Sequence, residues 1–262
     1  MIDKKIMDKG KIWETIMSQP SLTEGEIHVW KVFLDWPIEE IEKGVVGLTE
    51  EEKTRARRLV NQQHRCYYVA SHIALHAILA LYLPLTPRPL RFRRNNCGKP
   101  YLLENSSLYF NLSHSHTVAL YIIAVNREVG IDVELIRNRA YIVNVKRRFF
   151  PNVTKDCACS HRFSKWDNKC LKNFYHIWTF KEAYAKLTGQ SLWFLKLFTK
   201  NINIDAESKF FIDFDSGNLC ISKKRWMVCS VPTSKLGYIA ALATENPVKK
   251  IRYFAWSPVL SK

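Results

Sequence analysis

A chain of 262 residues, 47% hydrophobic and 13% aromatic, can bury a large core, as one domain or two of about 130 residues each, and is not disordered. No apolar run approaches the ~18 residues of a membrane span, the first twenty residues are too charged for a signal peptide, and seven cysteines are an odd number for a disulfide framework, so a cytoplasmic protein with reduced thiols is expected. Forty Lys and Arg against 24 Asp and Glu leave a net charge of +16, which suits nucleic acid, an anionic membrane, an anionic cofactor, an acidic protein, or simply a solvated basic surface.

Residues 1–25 mix charge with scattered apolar positions and read as an extension or a short helix. Ile27–Trp36 alternates with an apolar bias and predicts a strand. Thr49 is a natural N-cap, and Glu52 three positions on completes a capping box. That helix could run, whole or interrupted, to Leu83, where Pro84, Pro87 and Pro89 stop it. Asn95–Gly98 predicts a turn. Thr117–Val125 predicts a buried strand, joined by Asn126, Arg127 and Glu128 to another at Val129–Leu135. Helical sequence follows at about Ala140–Phe150 and Asn173–Leu187, then strand-like pieces at Phe210–Asp215, Arg225–Val231 and Leu236–Thr244. Leu236–Thr244 resembles Thr117–Val125, a weak internal duplication that predicts an α+β protein of two similar lobes. The expected division is an extension at 1–25, an N-terminal lobe at 26–126 and a C-terminal lobe at 127–262.

In a strand, Asp132 and Glu134 share one face while Ile131 and Val133 take the other. Two adjacent carboxylates repel unless a proton or cation intervenes, and such oxygen ligands suit Mg²⁺. A lone D-x-E is more often a solvated strand face. Glu182 and Lys186 are i and i+4 on a helix, and by themselves would be a surface ion pair worth about 0.3–0.5 kcal/mol. If Glu182 reaches the two other acids, the trio and its lysine become a pyrophosphate-handling group. Arg55, Arg58, Gln62 and Arg65 recur at spacings of 3, 4 and 3, as one polar helix stripe. Lys99-Pro100 follows the turn, and Ser113-His114 precedes a core strand; both could meet phosphate.

Other patterns lead nowhere. His72 and His76 have HxxxH spacing, but Ile73 stands where a metalloprotease needs glutamate, so they read as helix-face histidines. Cys157, Cys159, His161 and Cys170 lack zinc-finger spacing, and no G-x-S-x-G elbow, Walker motif or G-x-G-x-x-G occurs.

The ordered set GKP (98–100), FNLSHS (110–115), GIDVE (130–134), RFF (148–150) and WTFKEAYAKLTG (178–189) resembles the Sfp-type 4′-phosphopantetheinyl transferases, in the subgroup with Ala after the glutamate. The resemblance spans roughly Ile27–Thr244 and leaves 1–25 and the Cys-rich stretch 155–172 unassigned. It implies a pseudo-twofold pair of α+β lobes with coenzyme A in the cleft between them. It implies transfer of the phosphopantetheine arm to a serine of an acyl or peptidyl carrier protein, releasing adenosine 3′,5′-bisphosphate. By motif, Asp132, Glu134 and Glu182 would bind Mg²⁺, Glu182 would be the base, directly or through a metal-bound water, and Lys186 would contact the phosphates. Ser113 and His114 would contact coenzyme A phosphates, Lys99-Pro100 would line the adenine side, and Arg55 would meet the 3′-phosphate. Arg65 joins them, although the spacing after Arg58 is one residue shorter than in the family. The partners expected are coenzyme A and acidic carriers of fatty-acid, polyketide or nonribosomal-peptide synthesis, met by a monomer without nucleic acid or membrane. A basic nucleic-acid-binding protein is the alternative, since the pI is about 9.6. An inactive carrier-binding relative is a third reading, which the intact Asp132, Glu134, Glu182 and Lys186 oppose.

Overall fold

The computed structural model describes residues 13–15, 19–84, 89–137, 168–190, 209–212, 226–233, 235, 237–245 and 247–258. The fold is α+β, and the chain divides into two compact units, one of Met1–Val129 with Pro247–Lys262 and one of Gly130–Asn246. No helix among the described residues is long and apolar enough to cross a membrane.

The first unit is built on a five-stranded sheet in the order β1 (Glu14–Thr15), β11 (Lys250–Trp256), β2 (Glu26–Phe33), β6 (Val118–Val125), β5 (Leu108–Ser115). The strands β6 and β2 pair antiparallel and are almost wholly buried, as continuous apolar runs such as VALYIIAV require. The C-terminal strand β11 returns parallel to β2, placing Phe254 in the core against Trp30. The N-terminal segment, expected as an extension or short helix, forms at Glu14–Thr15 a strand parallel to β11. A Glu14–Arg252 ion pair at 3.0 Å and Lys31 Nζ above the Trp13 ring accompany it.

Helices α1 (Ile38–Val45), α2 (Glu50–Arg57) and α3 (Gln62–Ala80) belong to the same unit. The capping box forms as expected: Glu52 N donates to Thr49 Oγ1, and Thr49 N donates back to the Glu52 carboxylate. The interruption is real. Helix α2 ends at Arg57, and Asn61 caps α3 by accepting from His64 N. Arg55, Arg58, Gln62 and Arg65 therefore do not share one helix stripe: the break rotates the second pair away, and Arg65 donates to Leu59 O at 2.8 Å. The inner face of α3 supplies Tyr67, Ala70, Ala74, Leu75, Ile78 and Leu79 to the core, and Tyr121 reaches across from β6 to donate to Ser71 O at 2.7 Å. The hairpin of β3 (Phe92–Arg94) and β4 (Pro100–Leu102) turns at Asn95–Gly98, where Asn95 Oδ1 accepts from Cys97 N and Lys99 N and Gly98 takes φ +86°.

The second unit carries a four-stranded sheet in the order β7 (Val129–Leu135), β10 (Tyr238–Glu245), β9 (Trp226–Ser230), β8 (Lys209–Ile212). Helix α4 (Asn168–Thr188) packs Phe180, Ala183, Tyr184 and Leu187 against Val228, Ala241 and Ala243 of that sheet. Gly130 lets α4 come close to β7: a Cβ there would collide with Ala183 O and Leu187 N. The helical reading of 140–150, the RFF segment, strand residues 213–215 and Cys157, Cys159 and His161 lie outside the described residues.

Candidate active site

In the second unit, strand β7 and helix α4 bring the acids of both motifs to one place. Ile131 and Val133 fill the core as alternation requires; Asp132 is only 3% exposed and Glu134 half-buried. Lys186 is i+4 from Glu182 on α4, yet its Nζ donates to Asp132 Oδ1 across to the strand at 2.7 Å. Glu182 is partly buried, and desolvation pushes its carboxyl up to about 7. The negative charges of Asp132 and Glu134 add to that rise, and Lys186 opposes it. One position earlier, burial brings the Lys181 ammonium down to about 8. Among the described residues, no three His, Cys, Asp or Glu side chains are gathered closely enough to hold a metal ion; at Asp132 the Lys186 ammonium takes a cation's place.

In the first unit, a cavity of about 220 Å³ collects another part of the expected set. Arg55 of α2, Pro100 of β4 and His114 of β5 all line it. Two larger cavities, of about 710 and 390 Å³, hold Gln62 alone of the expected residues and little charge; chemistry rather than size marks the smaller one. The cavity also takes in Arg94, which the sequence reading passed over. Its guanidinium donates to Glu51 at 3.0 Å and to Gly98 O at 3.0 Å. Tyr68 and His72 form another wall. The signal that could have found them was the α3 face two and three turns inside Asn61, once the helix break is placed.

Three expected residues do not line this cavity. Arg65 is turned back onto Leu59 O. Ser113 is buried on the opposite face of β5 from His114. Lys99 is 6% exposed, and its Nζ donates to Glu128 at 2.6 Å and to Val129 O at 2.9 Å; burial pushes its ammonium down and Glu128 opposes that. The histidines of the HxxxH spacing, read as helix-face residues, are held by protein partners: His76 is buried and bonds Glu52 at 3.0 Å, and His72 donates to Tyr68 O at 2.9 Å.

The second unit's acids sit in sequence that matches a known family. A family model described as the 4′-phosphopantetheinyl transferase superfamily matches residues 128–243, which hold β7, α4 and their acids. The 4′-phosphopantetheinyl transferase HetI of Nostoc sp. is 33% identical over 178 residues, 66% of this chain and 73% of that protein. The 4′-phosphopantetheinyl transferase Sfp of Bacillus subtilis is 22% identical over 200 residues, 74% of this chain and 85% of that protein. On the acids of β7 and α4 and on this likeness, the chain belongs to the 4′-phosphopantetheinyl transferase superfamily and is an enzyme of that class.

Proposed function

We propose that the chain transfers 4′-phosphopantetheine from coenzyme A to a serine of an apo acyl or peptidyl carrier protein, with Mg²⁺, and releases adenosine 3′,5′-bisphosphate. The observation that carries this reading is the meeting of Asp132, Glu182 and Lys186 in the second unit, where Glu182 is held near neutrality. In its carboxylate chemistry, though not in the spacing of three ligands, the donor set suits a hard cation. Two further carboxylates raise Glu182, and a lysine ammonium already stands in for positive charge at Asp132. Asp132, Glu134 and Glu182 would hold Mg²⁺, which when bound neutralises pyrophosphate oxygens and leaving-group charge.

The chain's own groups do the rest. A serine hydroxyl is a weak nucleophile and needs a base. Glu182, near 7, is suited to take the serine proton at neutral pH. The serine oxygen forms a bond to the β-phosphorus, and the bond to adenosine 3′,5′-bisphosphate breaks with its electron pair leaving on the bisphosphate. Lys186 offsets that charge. Arg55, Pro100 and His114, with Arg94, are assigned to the adenosine end of coenzyme A. We also assign the chain to the subgroup with Ala after the glutamate, to a pseudo-twofold pair of lobes with the site in their cleft, and to monomeric action in the cytoplasm. Its partners in this reading are acidic carriers, drawn by the +16 charge, with no nucleic acid or membrane. The nucleic-acid-binding alternative is not favoured, because the relatives are transferases and a cluster of buried acids repels phosphate unless a cation intervenes.

The test is to incubate the chain with coenzyme A, Mg²⁺ and a panel of apo carriers and weigh the carriers. Gain of one phosphopantetheine mass on at least one carrier is expected; no gain across fatty-acid, polyketide and nonribosomal-peptide carriers would overturn the function.

A further inference from the structure

The cavity of the first unit is walled by flat groups and by two arginines. Tyr68 and His72, one turn apart on α3, lie with ring centroids 4.0 Å apart and planes at 32°. Phe92, Pro100 and Leu112 add apolar surface. The cations are Arg55, whose guanidinium sits 5.9 Å from the Tyr68 ring centre, and Arg94. A space of about 220 Å³ with such walls suits one planar heterocycle joined to an anion.

His72 has a defined tautomer. Its Nδ1 lies 2.9 Å from Tyr68 O, which can only accept, so Nδ1 carries the hydrogen. The Ser71 hydroxyl, 3.2 Å from the same nitrogen, donates to that carbonyl at 2.8 Å and does not compete for the role. Burial pushes the His72 imidazolium down, although Glu52 opposes it, and the ring stays neutral. Nε2 is therefore left as a lone-pair acceptor, and it meets no donor among the described residues. Glu52, which also lines the cavity, is committed to Thr49 and His76.

We propose that His72 is a specificity-determining residue, whose Nε2 accepts a hydrogen bond from the exocyclic amine of a purine whose phosphate lies against Arg55 and Arg94. This rests on the coenzyme A reading above, because coenzyme A joins a 6-aminopurine to a ribose 3′-phosphate. A 6-oxopurine would turn a carbonyl oxygen toward the Nε2 lone pair, acceptor against acceptor.

The experiment titrates coenzyme A and its deaminated, 6-oxopurine analogue calorimetrically into the full chain and into His72→Phe, with carrier transfer assayed in parallel. Phenylalanine keeps a flat ring against Tyr68 and removes the acceptor. The unsubstituted chain should bind the amino compound about tenfold tighter, and His72→Phe should bind the two within about twofold, by weakening the amino compound alone. Equal weakening of both compounds, or an unchanged preference, would overturn the inference. Should thermal melting show that His72→Phe does not fold, His72→Leu removes the same acceptor and carries the same two outcomes. Base preference that depends on His72, without transfer to any carrier, would overturn the proposed function and leave this inference standing. Transfer without base preference would do the reverse.

Discussion

Glu52 of the first unit and Glu182 of the second are the same side chain withdrawn from water, with opposite results. Burial raises both. At Glu52 it is outweighed by hydrogen bonds from His76 and Thr49, and the carboxyl falls below its ordinary value. At Glu182 it is reinforced by Asp132 and Glu134 more than Lys186 relieves it, and the carboxyl rises to about 7. A buried acid given donors becomes part of the scaffold, capping α2 and joining it to α3. A buried acid given other acids is held ready for a proton or a cation, which is what chemistry on a pyrophosphate requires.

The contrast can be broken most sharply at Glu182. Glu182→Gln should cut carrier modification at least ~10²-fold and leave melting unchanged or raised, since an isosteric amide relieves the crowding of charge. Glu52→Gln should instead lower the melting temperature and raise KM for coenzyme A more than it lowers kcat; the reverse pattern would dissolve the distinction. Gly130→Ala tests whether the closeness of α4 to β7 keeps Lys186 on Asp132. With Ala183 O and Leu187 N in the way, it should cost about 3 kcal/mol in a denaturant titration, and unchanged stability would refute the contact.

Acidity separates the two residues next. The raised Glu182 lends stability that is complete below its unfolded value of 4.5 and lost as pH climbs to about 7. The lowered Glu52 lends stability present above 4.5 and lost as pH falls through its depressed folded value. Melting curves without metal should therefore lose their alkaline-side decline in Glu182→Gln and their acid-side decline in Glu52→Gln, each by a few kcal/mol at most. Identical pH profiles in both variants would contradict the assignments. The smallest effect is expected from Thr49→Ala, which removes one half of the capping box and should cost about 1 kcal/mol, readable as a shift in melting temperature.

Much of the scaffold was legible. The strands over 26–33, 118–125, 129–135 and 238–245 lie within a few residues of their apolar runs, because a buried strand needs such a run wherever it is placed. The cap at Thr49 formed because its partners are three residues away. The stripe from Arg55 to Arg65 failed because 3.6-residue periodicity does not report where a helix stops; Asn61, a better cap than a helix interior residue, starts a new one. Strand β11 is not legible in the sequence, since nothing in KIRYFAW announces a parallel partner more than two hundred residues earlier. Lys99 was expected toward ligand, and the hairpin turns its ammonium inward to Glu128 and Val129 O.

By itself the sequence determined the ingredients: three acids and a lysine in GIDVE and KEAYAK, basic residues before α3, and apolar runs able to hold them in sheets and a helix. Local chemistry suffices for that, because caps, turns and alternation act within a few residues. Only the tertiary structure decided the pairings. Lys186, besides its i+4 neighbour, reached Asp132, 54 residues away. Arg94, Tyr68 and His72 joined Arg55 around one cavity. Glu52 and Glu182 acquired opposite protonation tendencies. Each depends on which groups burial brings within reach across the fold, and the strength of a charge or a hydrogen bond is set there by neighbours that no local spacing names.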